Sequence, residues 1–275
     1  MNKMNSLLLA LSLATSASVA AEERQLTQFT SLKGEFTQGA LLVGKTRPNT
    51  VITLNDKKVA VADNGTFVIG FGRDAKLENQ LSFTFGEQTL NRDLLLNKRK
   101  YRESRVNGIS KKITNPNPKN VARAQKDAKQ VRAARAIWSD GQHFAQNFIW
   151  PAPGRISGVY GSVRYYNGKM GRPHYGVDMA SPIGTPVVAP ADGIVRLYVP
   201  DMFYSGGTLI IDHGMGVSST FLHLSKGHVK AGDKVKQGDL IAEIGNTGRS
   251  TGPHLDWRMN WNNQRVDPQL LVPKR

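Results

Sequence analysis

Gly252-Pro253-His254-Leu255-Asp256-Trp257-Arg258-Met259-Asn260-Trp261 alternates residue by residue. Leu255, Trp257, Met259 and Trp261 share one face, and His254, Asp256, Arg258 and Asn260 share the other. A period of two is that of a half-buried strand. Some eighty residues upstream, Pro173-His174-Tyr175-Gly176-Val177-Asp178-Met179-Ala180 has the same grammar. There Tyr175, Val177 and Met179 oppose His174, Gly176, Asp178 and Ala180. Two such strands would project four imidazole or carboxylate groups from rigid elements onto exposed faces. Any three of the four could hold one metal ion and leave a position for water, provided their ligand atoms converge within about 6 Å, since zinc bonds such ligands at ~2 Å. A lone H-x-x-x-D spacing arises often by chance, so the competing reading is a set of solvated surface groups.

Outward from these segments, Trp150 to the C-terminus reads as an antiparallel β domain. It is rich in glycine, with strands at Gly193–Val195, Thr208–Ile211, Thr220–Leu222 and Leu240–Ile244 and no convincing helix. Residues 21–96 read as a small β-sandwich. Short β-forming runs at Thr50–Leu54, Thr66–Ile69 and Leu81–Phe85 are separated by the turn signals Asn55-Asp56 and Asp63-Asn64-Gly65. Between them, residues 97–149 form a basic connector. Asn115-Pro116-Asn117-Pro118 breaks the chain, and a helix follows whose apolar face is expected to carry Val121, Ala124, Ala128, Val131 and Trp138. Residues 1–20 read as an export signal, with Lys3, an apolar Leu7–Leu13 stretch and small residues at Ser18-Val19-Ala20.

The formal net charge of +16 is concentrated. Lys98 to Arg135 holds thirteen Lys and Arg against Glu103 and Asp127. A single-sign stripe implies an anionic partner. With export, that partner is expected to be cell-wall polymer or an anionic membrane surface, and no nucleic acid is expected. A solvated linker is the alternative. The chain has no cysteine, which excludes disulfides and thiolate chemistry.

Several of these segments occur together in one recognisable order. Gly154-Arg155-Ile156-Ser157, His174-Tyr175-Gly176-Val177-Asp178, Gly184-Thr185-Pro186-Val187, Ala191-Asp192-Gly193, Phe221-Leu222-His223-Leu224 and Gly252-Pro253-His254-Leu255 resemble the lysostaphin-type (LytM-domain) zinc endopeptidases. Those enzymes cut peptide stems or cross-bridges of bacterial peptidoglycan. The resemblance implies a mainly β protein whose residues 150–275 form a barrel-like antiparallel LytM-type domain. It implies Zn2+ as cofactor, His174 and Asp178 as metal ligands, and His223 and His254 as catalytic histidines. The second histidine of the family's H-x-H motif is replaced here by Asp256, which becomes the expected third metal ligand. One histidine and two aspartates would leave a zinc site formally neutral rather than positive, so bound water would be less acidic.

The expectation is therefore an exported zinc metalloendopeptidase acting on peptidoglycan peptide. The alternative is a degenerate regulator that binds wall or activates another hydrolase. His213 is expected to be a core or turn histidine, and His143 and His228 receive no role. Arg258 would pair with Asp256 or a substrate carboxylate, a surface ion pair being the commoner outcome.

Overall fold

A computed structural model describes residues 31–106 and 118–275. The export signal expected at 1–20 and the Asn115-Pro116-Asn117 breaker fall outside them. The strands, in chain order, are β1 (Ser31–Lys33), β2 (Leu41–Lys45), β3 (Val51–Leu54), β4 (Lys57–Val59), β5 (Thr66–Gly70), β6 (Glu78–Phe85), β7 (Gln88–Leu95) and β8 (Glu103–Val106). After helix α1 (Pro118–Ala136) come β9 (Arg155–Gly158), β10 (Val163–Tyr166), β11 (Lys169–Met170), β12 (Val177–Ala180), β13 (Pro186–Val188) and β14 (Gly193–Met202). The last six are β15 (Gly206–Gly214), β16 (Val217–Gly227), β17 (Lys234–Val235), β18 (Leu240–Ile244), β19 (His254–Trp261) and β20 (Gln264–Val266). The fold is mainly β, with antiparallel sheets and no closed barrel.

Two units emerge. In the first, formed by residues 31–33, 43–68 and 78–94, β4-β3-β6-β7 make a four-stranded sheet. Within it, Ile52, Leu81 and Phe83 are buried, and Phe67 packs edge-on against Phe83 at 6.0 Å between ring centroids. Large aromatic burial of this kind is the main stabilising contribution available to a sheet pair this small. The β3–β4 turn uses Asn55 and Asp56, both at positive φ, the conformation their short polar side chains tolerate best.

Residues 34–42, 69–77 and 95–275 constitute the second unit. Its ten-stranded sheet runs β17-β14-β15-β16-β19-β12-β9, with β18, β13 and β20 attached off this path. β15 and most of β16 are buried on both faces, where Leu209, Ile210, Ile211, Val217, Phe221 and Leu222 are joined by buried polar residues such as Asp212, His213 and Ser219. A smaller sheet, β11-β10-β8, joins β8 to β10 in parallel. Helix α1 packs against β14 with part of the expected face: Ala124, Ala128 and Val131 are half-buried. Val121 and Trp138 are exposed, while Ala134 is buried and Arg135 lies beside it. The helix is held by polar contacts, because alanine offers little area. Asp127 accepts the Phe203 N–H at 2.8 Å, Arg123 pairs with Asp201 at 2.6 Å, and Arg135 donates to Thr220 Oγ1 at 2.7 Å. Among the described residues no helix is long and apolar enough to cross a membrane.

Candidate active site

Strand register brings the quoted segments together. β12 and β19 pair antiparallel with Asp178 directly opposite Asp256 and Ala180 opposite His254. On its other side β19 pairs with β16, placing Leu222, and hence the neighbouring His223, beside Asp256. β12 buries Val177 and Met179 and half-exposes Asp178 and Ala180, as its alternation demands. β19 departs from the expected pattern: Asp256 and Asn260 are as deeply buried as Leu255, Trp257 and Met259. Both faces of the strand are covered, so Asp256 is no surface carboxylate.

Two glycines make the room. A Cβ at Gly158 would run into Asp178 Oδ2, and one at Gly176 would run into Asp256 Oδ1 while lying 2.7 Å from Arg258 Cγ. Here the backbone approaches the carboxylates too closely for any side chain.

The ligand atoms of His174, Asp178 and Asp256 all lie within 4.8 Å of one another, inside the ~6 Å limit that zinc bond lengths impose. His174 Nε2 faces Asp178 Oδ1 at 3.1 Å, yet both atoms are buried and neither is aligned for a hydrogen bond. Buried polar atoms without partners are costly. Two of them aimed at one point, with a second carboxylate alongside, is the donor set a divalent cation would satisfy. Imidazole and carboxylate are ordinary zinc donors, so the residues fit the metal.

The histidines expected to be catalytic adjoin this group. His254 Nε2 is 4.0 Å from Asp178 Oδ1, and the His223 and His254 rings are 4.7 Å apart. His223 Nδ1 lies 2.8 Å from the Thr247 carbonyl, and His254 Nδ1 lies 2.8 Å from the Gly252 carbonyl. A carbonyl only accepts, so each Nδ1 carries the proton and each Nε2 presents a lone pair. His223 sits at φ +65°, a left-handed conformation that β-strand residues avoid. Burial, outweighing the Thr247 contact and the Asp256 charge, lowers its pKa. His174 moves the other way: burial opposes its charge, but Asp178 and Asp256 together raise its pKa.

Arg258 makes one of its two expected pairings, with Asp256, but against a buried carboxylate rather than as a surface ion pair. Its guanidinium grips Asp256 from within the protein, with Nε 3.0 Å from each carboxylate oxygen and Nη2 on Oδ2. Burial would raise the Asp256 pKa, but Arg258 prevails and holds it at about 2. The i, i+2 spacing on one strand face was the available signal. What could not be read was that both strand faces are covered. His213 is fully buried, with Nδ1 at 2.7 Å from the Asp192 carbonyl and Nε2 at 2.8 Å from Ser219 Oγ, and so is a satisfied core histidine. His228 pairs with Glu243 at 2.9 Å, away from this cluster.

Residues 172–268 match the model of peptidase family M23. This segment is a peptidase family M23 domain. An uncharacterized metalloprotease of Haemophilus influenzae is 46% identical over 97 residues, covering 35% of this chain and 20% of that protein. Peptidoglycan DD-endopeptidase ShyA of Vibrio cholerae is 30% identical over 226 residues, covering 79% of this chain and 50% of that protein. The chain thus spans half or less of the length of these relatives. A Pseudomonas aeruginosa structure classed as peptidase M23 superposes with a TM-score of 0.67 at 28% identity, covering 86% of this chain and 95% of that one. The M23 match contains His174, Asp178, His223, His254 and Asp256.

Proposed function

We propose that this protein is an exported zinc metalloendopeptidase that hydrolyses peptide bonds in peptidoglycan. One observation carries the reading: the orphaned His174 Nε2 and Asp178 Oδ1 converge with Asp256 beside two histidines whose Nε2 lone pairs are free. The naming of a relative as a peptidoglycan DD-endopeptidase supports the substrate class. His174, Asp178 and Asp256 would hold the zinc. When bound, the ion would supply Lewis acidity toward a scissile carbonyl and an attacking water.

The chain's own groups do the rest. His223, kept neutral by burial, takes the proton of the attacking water at Nε2. The Thr247 carbonyl fixes that ring in the required tautomer. His223 then passes that proton to the leaving amine, while His254, oriented by Gly252 and Ser250, presents Nε2 toward the same point and, when it carries a proton taken up from solvent, donates a hydrogen bond to the developing oxyanion. Export and adhesion of the Lys98–Arg135 stripe to anionic wall or membrane polymer belong to the same proposal. In it the basic residues of α1 that do not dock on β14 face the polymer, and salt weakens the contact.

Dye release from purified sacculi tests the activity. The wild-type chain releases dye, and His223→Ala releases it about 100-fold more slowly or worse, the usual contribution of a general base. Equal release by the two refutes the assignment.

A further inference from the structure

A cleft of about 780 Å³ opens over the His174–Asp178 pair, and its walls are unusually cationic. Arg102, Arg164, Arg172, Arg249 and Arg258 line it, while Asp178 is the single acid among its lining residues. Arg258 is already committed to Asp256. The other four are exposed, and none has a carboxylate within 4.0 Å among the described residues.

They come from separate segments that the fold assembles. Arg164 lies on β10, opposite Ser104 of β8, and the Arg102 backbone carbonyl anchors the same pair by accepting the Val163 N–H at 2.9 Å. Arg172 stands two residues before His174. Arg249 donates its backbone N–H to the Tyr204 carbonyl at 2.9 Å and stacks its guanidinium 4.7 Å from the Tyr204 ring. That stacking holds the fork rigid, so less side-chain entropy is lost when it binds a ligand.

Four like charges around one concavity repel one another and raise the local potential there. An anion relieves this, and a carboxylate matches the guanidinium fork in geometry as well as charge. We infer that Arg102, Arg164, Arg172 and Arg249 form a carboxylate-recognition wall, making the cleft selective for peptides that carry free acidic groups on the residues flanking the scissile bond. This rests on the peptidase reading, because it is the His and Asp cluster on the cleft floor that makes a peptide, rather than a phosphate polymer, the ligand.

Fluorescence anisotropy on the full chain tests it. The probes are labelled Gly-Glu-Gly-Gly-Glu-Gly with free carboxylates, the same peptide with every carboxylate amidated, and a labelled oligophosphate of equal charge. The wild type is expected to bind the acidic peptide at least tenfold more tightly than the amidated one. The Arg172→Gln/Arg249→Gln double variant should remove that preference. A Lys230→Gln/Lys234→Gln variant, which changes net charge equally at exposed positions outside the cleft, should keep it. Equal affinity for both peptides, equal weakening by the two double variants, or tighter arginine-dependent binding of the oligophosphate each overturns the inference. Binding requires no hydrolysis, so the two readings fail separately. A chain that selects acidic peptide but releases no dye from sacculi refutes only the peptidase reading, and one that digests sacculi without carboxylate preference refutes only this one.

Discussion

Replacing Arg258 with methionine keeps much of the stem volume and removes the charge that holds Asp256. The Asp256 carboxyl titrates at about 2 instead of its ordinary 3.8, and its side chain is only 3% exposed. That displacement alone corresponds to about 2 kcal/mol of native-state stabilisation at neutral pH. Removing the arginine also strands a buried carboxylate, and the loss of one partner from such a pair costs about 3–5 kcal/mol. Urea unfolding with a chelator present, followed by tryptophan fluorescence, reads this directly. Arg258→Met is expected to lose about 3–5 kcal/mol at pH 7, and Arg258→Met/Asp256→Asn to recover a substantial part of it, with a coupling above about 1.5 kcal/mol. Because the folded pKa is depressed, the pair's contribution is complete above about pH 3.8 and lost as pH falls toward 2. A cost below about 1 kcal/mol at pH 7, or strict additivity in the double variant, refutes the buried clamp.

Gly176→Ala places a methyl group against Asp256 Oδ1 and Arg258 Cγ, so metal affinity and stability should fall together; unchanged zinc binding in competition with a chelator contradicts the packing argument. His213 is buried with its pKa pushed down to about 4 from 6.5, so the unfolded chain binds the extra proton. Stability should therefore drop by about 3 kcal/mol as pH falls from 6.5 to 4, and a pH-independent unfolding midpoint across that window removes the claim. His223 has a lowered pKa, so the acid limb of kcat/KM should lie below the 6.5 of an ordinary imidazole and disappear as a limb in His223→Ala; a limb above 6.5 contradicts its role as a neutral acceptor.

Period-two alternation made β12 and β19 legible, because one buried face imposes a strict pattern on a strand. The register that sets Asp178 against Asp256 is long-range, and composition carries no trace of it. The same holds for the left-handed turn at His223, for Gly158 and Gly176 clearing space beside the carboxylates, and for the unpaired arginines from three segments that meet over His174. Helix α1 was legible in part. Ala124, Ala128 and Val131 fall on its half-buried side as periodicity indicates, but alanine offers little area, and the docking through Asp127 and Arg135 hydrogen bonds left no periodic trace. Asp256 was expected on an exposed face because alternation reports one covered side, whereas Asp256 and Asn260 on one face of β19 are buried along with Leu255, Trp257 and Met259 on the other.

Metal analysis of the purified full chain after dialysis against zinc tests the central claim most directly. Convergence of His174, Asp178 and Asp256 within 4.8 Å predicts one zinc per chain, lost on His174→Ala or Asp178→Ala while near-ultraviolet circular dichroism is preserved. A chain that retains no zinc, or whose zinc content is indifferent to both substitutions, contradicts it.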